Sequence, residues 1–166
     1  MNVNLNEIIS TQIELDNFIE KNHKLIKRNL ISRRKLALII EISELCNEVR
    51  CFKFWSLKKP SHKDIILDEF VDCLHFILSI GLYYGLNKMK FTVSKSTKNK
   101  KDNIQLSKTF TDLISNVSSL NSEKKVKAFI KKLFQLAIDL NLTFNEIKKA
   151  YFSKNEINIK RQKENY

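Results

Sequence analysis

Carboxylates at helical spacing are the residues of this sequence best suited to chemistry. Glu41 and Glu44 are three residues apart, and so are Glu69 and Asp72, so each pair would lie on one face of its own helix. Both pairs stand among apolar residues, where a carboxylate without a cation would be costly to bury. If the two helices faced each other, the pairs would form an oxygen-only site, which suits Mg²⁺ or Mn²⁺ better than zinc or iron.

A short loop separates the two segments that carry these pairs. The single proline, Pro60, lies in a polar stretch over residues 56–61, and helical periodicity flanks it on both sides. The spacing predicts one helix over residues 32–55 and another that starts at Ser61, as a candidate N-cap, and ends between Gly81 and Gly85. Two antiparallel helices joined in this way would bring their acidic faces together.

Apolar residues recur at helical spacing in the rest of the chain as well. They predict a first helix over residues 5–27, two more around residues 106–117 and 126–137, and a last one from about Thr143. Residues 88–103 are polar and basic, which favours a mobile loop. Because two glycines and one proline leave few hairpin turns, we expect an all-α helical bundle in a single domain over residues 1–166.

The charge and the cysteines narrow the class of protein. With 30 basic and 18 acidic side chains the net charge is +12, which attracts nucleotides, nucleic acid or an acidic membrane surface without choosing among them. Three cysteines without a CxxC pair indicate reduced thiols rather than a disulfide framework or a zinc knuckle. Without an apolar run of about 18 residues or a signal-peptide pattern, we expect a cytoplasmic protein that does not enter membranes.

The acidic pairs belong to longer strings that resemble a known family, the dimeric dUTPases of the all-α nucleoside triphosphate pyrophosphohydrolases. The family signature is ExxE followed, after a helix-to-helix loop, by ExxD, and here it reads Glu41-Ile42-Ser43-Glu44 and Glu69-Phe70-Val71-Asp72. Residues 41–55 and 66–76 look like the dUTPase branch rather than the shorter MazG-like one. Near the C-terminus the family pattern is matched by Tyr151, Lys154, Asn155, Asn158, Arg161 and Gln162. The resemblance runs from about Gln12 to Tyr166 and is weakest over residues 88–125.

This resemblance implies an activity, a cofactor and an assembly. The expected reaction is hydrolysis of dUTP to dUMP and pyrophosphate, with dUDP as a second candidate substrate. This reaction keeps uracil out of DNA and supplies dUMP. The implied metal ligands for Mg²⁺, with Mn²⁺ as a substitute, are Glu41, Glu44, Glu69 and Asp72. Glu41 is also the residue expected to orient or deprotonate the attacking water. The family further implies a homodimer.

Residues outside the acidic pairs are expected to bind the nucleotide. By resemblance Gln12 contacts the uracil, Lys53 is a phosphate partner, and Trp55 is an aromatic wall against the base, although a core or interface role for Trp55 stays equally open. The C-terminal polar face would engage the phosphate chain and the sugar through Tyr151, Lys154, Asn155, Asn158 and Arg161. Since this face and the acidic pairs lie on different helices, we expect metal binding to be independent of it.

Three other functions compete with dUTP hydrolysis. The nearest is an enzyme of the same fold with another specificity, for dCTP or for a broader set of nucleotides. A ferritin-like di-iron protein needs Glu-x-x-His on two helices, and the candidates are only Glu20 with His23 and a weaker Asp72 with His75, which we expect to be a core histidine. The hypothesis of a non-enzymatic helical protein that binds nucleic acid rests on the net charge and the runs of basic residues, and we do not expect nucleic acid as a partner.

Overall fold

Six helices and one pair of short strands make up the part of the chain that the structure describes. This computed structural model describes residues 1–26, 30–94 and 101–164. In chain order the elements are β1 (Asn2–Asn4), α1 (Asn6–Asn22), α2 (Ile31–Val49), α3 (Lys63–Tyr83), β2 (Lys90–Thr92), α4 (Asn103–Val117), α5 (Glu123–Asp139) and α6 (Phe144–Lys163). The predicted all-α class is confirmed. Among the described residues no helix is both long and apolar enough to cross a bilayer.

Helix α3 lies at the centre of the packing. It contacts α1, α2, α5 and α6, with the most extensive contact to α2. Its side chains Phe70, Leu74 and Ile77 are fully buried, and the Phe70 ring meets the Phe134 ring of α5 edge-on at a centroid distance of 5.8 Å. Each such side chain stabilises the fold by about 1.5–3 kcal/mol through burial. The helix that carries Glu69 and Asp72 is therefore held on several sides.

Helix α2 is shorter than its sequence pattern predicts. The expected helix over residues 32–55 was wrong at its end, because α2 stops at Val49 and Arg50 adopts a left-handed conformation with φ of 61°. The Arg50 N–H donates to the Cys46 carbonyl at 2.9 Å, which satisfies one of the last carbonyls of the helix. The apolar residues beyond this turn, Phe54 and Trp55 among them, are exposed rather than helical.

The connection to α3 also differs from the prediction. Ser61 is not the N-cap, since α3 begins at Lys63 after His62, which makes no side-chain cap. Instead Ser61 donates its hydroxyl to the Glu48 carboxylate and its N–H to the Glu48 carbonyl, the latter at 3.0 Å. These two bonds hold the start of α3 beside the end of α2, so that the two helices run antiparallel.

Three stretches outside this pair also depart from the predicted boundaries. Helix α1 ends at Asn22 and the chain turns at Lys24, with φ of 51°, whereas the expected end at Lys27 lies outside the described residues. The prediction of a mobile loop over residues 88–103 was wrong where the chain forms β2. This strand pairs antiparallel with β1, in a register that sets Phe91 opposite Val3. Residues 95–100 of that basic stretch lie outside the described residues.

Helix α6 begins where the sequence places it. Thr143 is its N-cap, and a reciprocal capping box joins the Thr143 side chain to the Glu146 N–H and the Glu146 side chain to the Thr143 N–H. The helix packs on α1 and α3 through fully buried Ile147 and Tyr151. Its polar face is thereby turned towards the acidic residues of α3.

Candidate functional site

The antiparallel packing of α2 and α3 brings the predicted acidic pairs together. One carboxylate oxygen each from Glu41, Glu69 and Asp72 lies within 4.8 Å of the others, and all three side chains are partly buried. Glu44 lines the same cavity beside this group but is outside the closest cluster. The predicted convergence of carboxylates from two helices is thus confirmed for Glu41, Glu69 and Asp72, whose donor atoms are all oxygens.

The carboxylates line a cavity of about 660 Å³. Apolar side chains of α1 and of the following segment also line it, among them Leu15, Ile19 and Leu25. Four cations also contribute to its wall, namely Arg33, Arg34, Lys154 and Arg161. A cavity of this size that combines apolar, acidic and basic regions can enclose a ligand with a ring at one end and phosphates at the other.

The cluster carries more negative charge than its surroundings neutralise. Burial, followed by the nearby carboxylates of Asp72, Glu44 and Glu69, raises the pKa of Glu41 to about 7. Burial also raises the pKa of Glu69 and of Asp72 above the ordinary values of those groups. Such shifts mean that ionising the cluster costs free energy in the metal-free protein, and a divalent cation would remove that cost.

Lys154 of α6 reaches into this cluster. Its Nζ donates to Asp72 Oδ2 at 2.7 Å and to Asp68 Oδ2 at 2.8 Å, and only 13% of its side chain is exposed. Burial acts to lower the pKa of Lys154, but the bonds to Asp68 and Asp72 outweigh it and raise that pKa. The C-terminal polar face and the acidic pairs lie on different helices, as expected, but Lys154 joins them because α6 packs directly on α3.

A buried hydrogen-bond network forms the floor of the cavity. The Gln12 amide nitrogen donates to Asp16 Oδ1 at 2.8 Å and to Ser79 Oγ at 3.1 Å. Its Oε1 accepts from the Tyr151 hydroxyl at 2.6 Å and faces His75 Nδ1 at 2.9 Å. All four hydrogen-bonding positions of the amide are therefore used, which fixes the orientation of Gln12.

His75 is neutral in this network. Burial, together with the positive charge of Lys154, lowers the pKa of His75 to about 3. Since Gln12 Oε1 can only accept, the proton is placed on Nδ1 and Nε2 is left as an acceptor. No described residue hydrogen-bonds to that buried Nε2, so the expected core histidine is satisfied at only one of its nitrogens.

The other predicted binding residues divide into two groups. Asn158 and Arg161 line the cavity, whereas Tyr151 and Asn155 are buried behind its wall. Within the described residues the Asn155 Oδ1 has no hydrogen-bond partner. The polar face of α6 thus contributes both to the cavity surface and to its support.

Lys53 and Trp55 lie outside the cavity lining. The Lys53 ammonium group donates to Asn47 Oδ1 and lies 5.5 Å from the centroid of the Phe52 ring. The Trp55 side chain is 66% exposed and contacts the rings of Phe52 and Phe54 edge-on. Within one chain these two residues are not brought to the acidic cluster.

Sequence reasoning missed several polar residues of the cavity. Arg34 donates to Asp16 at 3.2 Å and to Glu20 at 3.0 Å, which holds the network from α2. Ser79 was likewise not assigned a place in it. The spacing carried a signal, because Gln12 and Asp16 are four residues apart on α1 and Ser79 follows Asp72 by seven residues on α3.

The raised pKa of Glu41 predicts how the stability of the metal-free protein depends on pH. Between pH 4.5, the ordinary pKa of a glutamate, and about pH 7, the folded state binds a proton at Glu41 that the unfolded state releases. The free energy of unfolding in chelator should therefore rise as the pH is lowered from 8 to 5.5. Denaturant titrations measure this slope, and Glu41→Gln should flatten it. A wild-type slope of the opposite sign would contradict the prediction.

Comparison with known proteins adds to this geometry. A family model described as dUTPase matches residues 4–166, which includes every residue of the cavity. A search of curated proteins found no match.

Proposed function

The chain belongs to the dUTPase family and is thus a dUTP diphosphatase, a hydrolase, and we propose that it cleaves dUTP to dUMP and pyrophosphate with Mg²⁺ bound at the acidic cluster. The observation that carries the metal is the convergence of Glu41, Glu69 and Asp72 from two helices. Glu44, which lines the same cavity, completes the proposed ligand set.

The donor atoms of this site fit magnesium. They are carboxylate oxygens only, and their partial burial leaves a negative charge that a divalent cation would neutralise. When bound there, the ion supplies positive charge to the phosphate chain and acidity to a coordinated water. We assign to Glu41 the orientation of the attacking water and the acceptance of its proton, since it lies against both carboxylates of α3 and lines the cavity.

The hydrogen-bonding groups at the floor of the cavity favour uracil as the base. The donors of Gln12, Ser79 and Tyr151 are engaged within the protein, whereas the His75 Nε2 lacks a partner among the described residues. Uracil carries an N–H on its ring at N3, which an acceptor can receive, whereas cytosine presents a lone pair at that position. If nucleotide binding brings the buried His75 Nε2 into contact with the base, this acceptor favours dUTP over dCTP.

The cations of α6 are proposed to hold the phosphates. Arg161 and Asn158 line the cavity next to the acidic cluster, and Lys154 already contacts Asp72. Guanidinium and ammonium groups form the charge-assisted hydrogen bonds that phosphate oxygens require. Tyr151 and Asn155 support this surface from behind, through the Gln12 network and through burial on α6.

A homodimer is the proposed assembly. The turn after α2 exposes Phe54 at 93%, Trp55 at 66% and Leu57 at 104%, an apolar surface that a second copy would cover. Lys53 and Trp55 would then act on the nucleotide through the dimer rather than within one chain. Sedimentation should give a dimer for the wild type and a monomer for Leu57→Glu, and a monomeric wild type would refute the assembly.

We place the enzyme in the cytoplasm. Its three cysteines are free, as is usual in a reducing compartment, and Cys46 and Cys51 lie close enough to hydrogen-bond without forming a disulfide. The net charge of +12 attracts polyanions in general, and it is the cavity rather than the charge that favours a nucleotide over nucleic acid as the partner.

A substrate panel tests the proposed reaction directly. Purified protein is incubated with dUTP and each canonical dNTP in Mg²⁺, with and without chelator, and pyrophosphate release is measured. We expect rapid release from dUTP, little from dCTP, and none in chelator. Equal rates on all nucleotides would indicate a broad pyrophosphohydrolase instead, and full activity in chelator would refute the metal site.

A further inference from the structure

A partly buried ammonium group lies where the acidic cluster requires positive charge. The Lys154 Nζ bonds both Asp72 and Asp68, at 2.7 Å and 2.8 Å, although Lys154 is on α6 and both carboxylates are on α3. We propose that Lys154 is the counter-ion of the metal-free site and that a divalent cation displaces its ammonium group from Asp72. This inference rests on the proposed metal site.

Both cations would use the same carboxylate. Asp72 contributes one of the oxygens that converge with those of Glu41 and Glu69, and its Oδ2 is also the acceptor for Lys154. A divalent ion and an ammonium group on neighbouring oxygens of one carboxylate repel each other strongly in a partly buried site. The divalent ion has three carboxylates to bind, whereas Lys154 has two, so the ion displaces the ammonium group.

The displaced side chain has space to enter. Lys154 itself lines the cavity of about 660 Å³, together with Asn158 and Arg161 of the same helix. A lysine carries its charge on a flexible four-carbon chain, so a change of rotamer moves the ammonium group without moving α6. Lys154 would then point beside Arg161, where a phosphate chain can bind both. Metal binding therefore creates a cation for the phosphates, and the metal should bind before the nucleotide.

Chemical labelling of lysines tests the displacement in the wild-type protein. An amine-acylating reagent is added in chelator or in Mg²⁺, without nucleotide, and the modified lysines are quantified by mass spectrometry. Lys154, 13% exposed in its present contact, should react several-fold faster in Mg²⁺. Lys148, on the same helix in a more exposed pair with Glu7, should not change and is the matched control. Unchanged or slower labelling of Lys154 in protein that binds Mg²⁺ would overturn the proposal.

Calorimetry gives a second readout that does not depend on activity. Lys154→Met has no ammonium group to displace, so it should bind Mg²⁺ about tenfold more tightly than the wild type. Without metal its Tm should be lower, because Asp68 and Asp72 lose their cation, whereas Lys148→Met should match the wild type in Mg²⁺ affinity. Equal or weaker Mg²⁺ binding by Lys154→Met would reject the displacement of Lys154 by the metal but not the metal site itself. Absence of Mg²⁺ binding by the wild type would reject the metal site and the exchange with it.

Discussion

Replacing Asp72 by asparagine should lower kcat for dUTP by about a thousandfold or more, because bound metal supplies several kcal/mol of transition-state stabilisation and each 1.4 kcal/mol is tenfold in rate. Asparagine keeps the size of the side chain but removes the negative charge that joins Glu41 and Glu69 in the cluster. Glu44→Gln should act in the same direction from α2. Initial rates of pyrophosphate release at saturating Mg²⁺ and dUTP measure both effects.

A matched control separates loss of the site from loss of the fold. Asp64→Asn makes the same chemical change on the same helix, but the Asp64 side chain is 84% exposed and contacts only the exposed His62 among the described residues. Its kcat should equal that of the wild type, and the far-ultraviolet circular dichroism of both variants should remain helical. Wild-type turnover in Asp72→Asn would show that the acidic cluster is not the metal site.

The double variant Lys154→Ala with Arg161→Ala should lower kcat/KM for dUTP by about a hundredfold or more, since each charge-assisted contact is worth roughly 1.5–3 kcal/mol. Both side chains line the cavity from α6, two helical turns apart, so a phosphate chain beside them can contact both. Magnesium should still bind, because the ligands on α2 and α3 are intact.

The same helix offers a control of equal charge. Lys148 and Lys160 form exposed ion pairs with Glu7 and Glu164, away from the cavity lining, so their double alanine variant removes two cations from α6 without touching the site. Its kcat/KM should stay within about twofold of the wild type, a surface effect of a few tenths of a kcal/mol. If both double variants behaved alike, the cavity-lining cations of α6 would have no role in phosphate binding.

Much of the fold could be predicted because the relevant signals are local. Apolar residues at helical spacing predicted every helix, and Thr143 predicted the start of α6 through a cap that depends on neighbouring residues alone. The prediction failed at two positions, for a physical reason. The left-handed turn at Arg50 and the bond from Ser61 to Glu48 depend on how α2 meets α3, which periodicity does not encode.

The strand β2 was also beyond a local prediction. Met89, Phe91 and Val93 alternate as strand residues do, but a three-residue strand gives a weak pattern and the flanking lysines resemble those of a loop. Its partner is β1, at the N-terminus and separated from β2 in sequence by three helices. Only the folded helices hold these two segments close enough to pair.

By itself the sequence determined the chemistry available to this protein. The i,i+3 carboxylates of Glu41 with Glu44 and of Glu69 with Asp72 lie on common faces because a helix has a fixed pitch. Tertiary structure alone decided which groups meet: three of the four partners of the Gln12 amide lie on α3 and α6, and the Lys154 ammonium group bonds to Asp72. The physical reason is that a helix fixes the direction of its side chains, whereas contact between helices depends on how their buried surfaces pack.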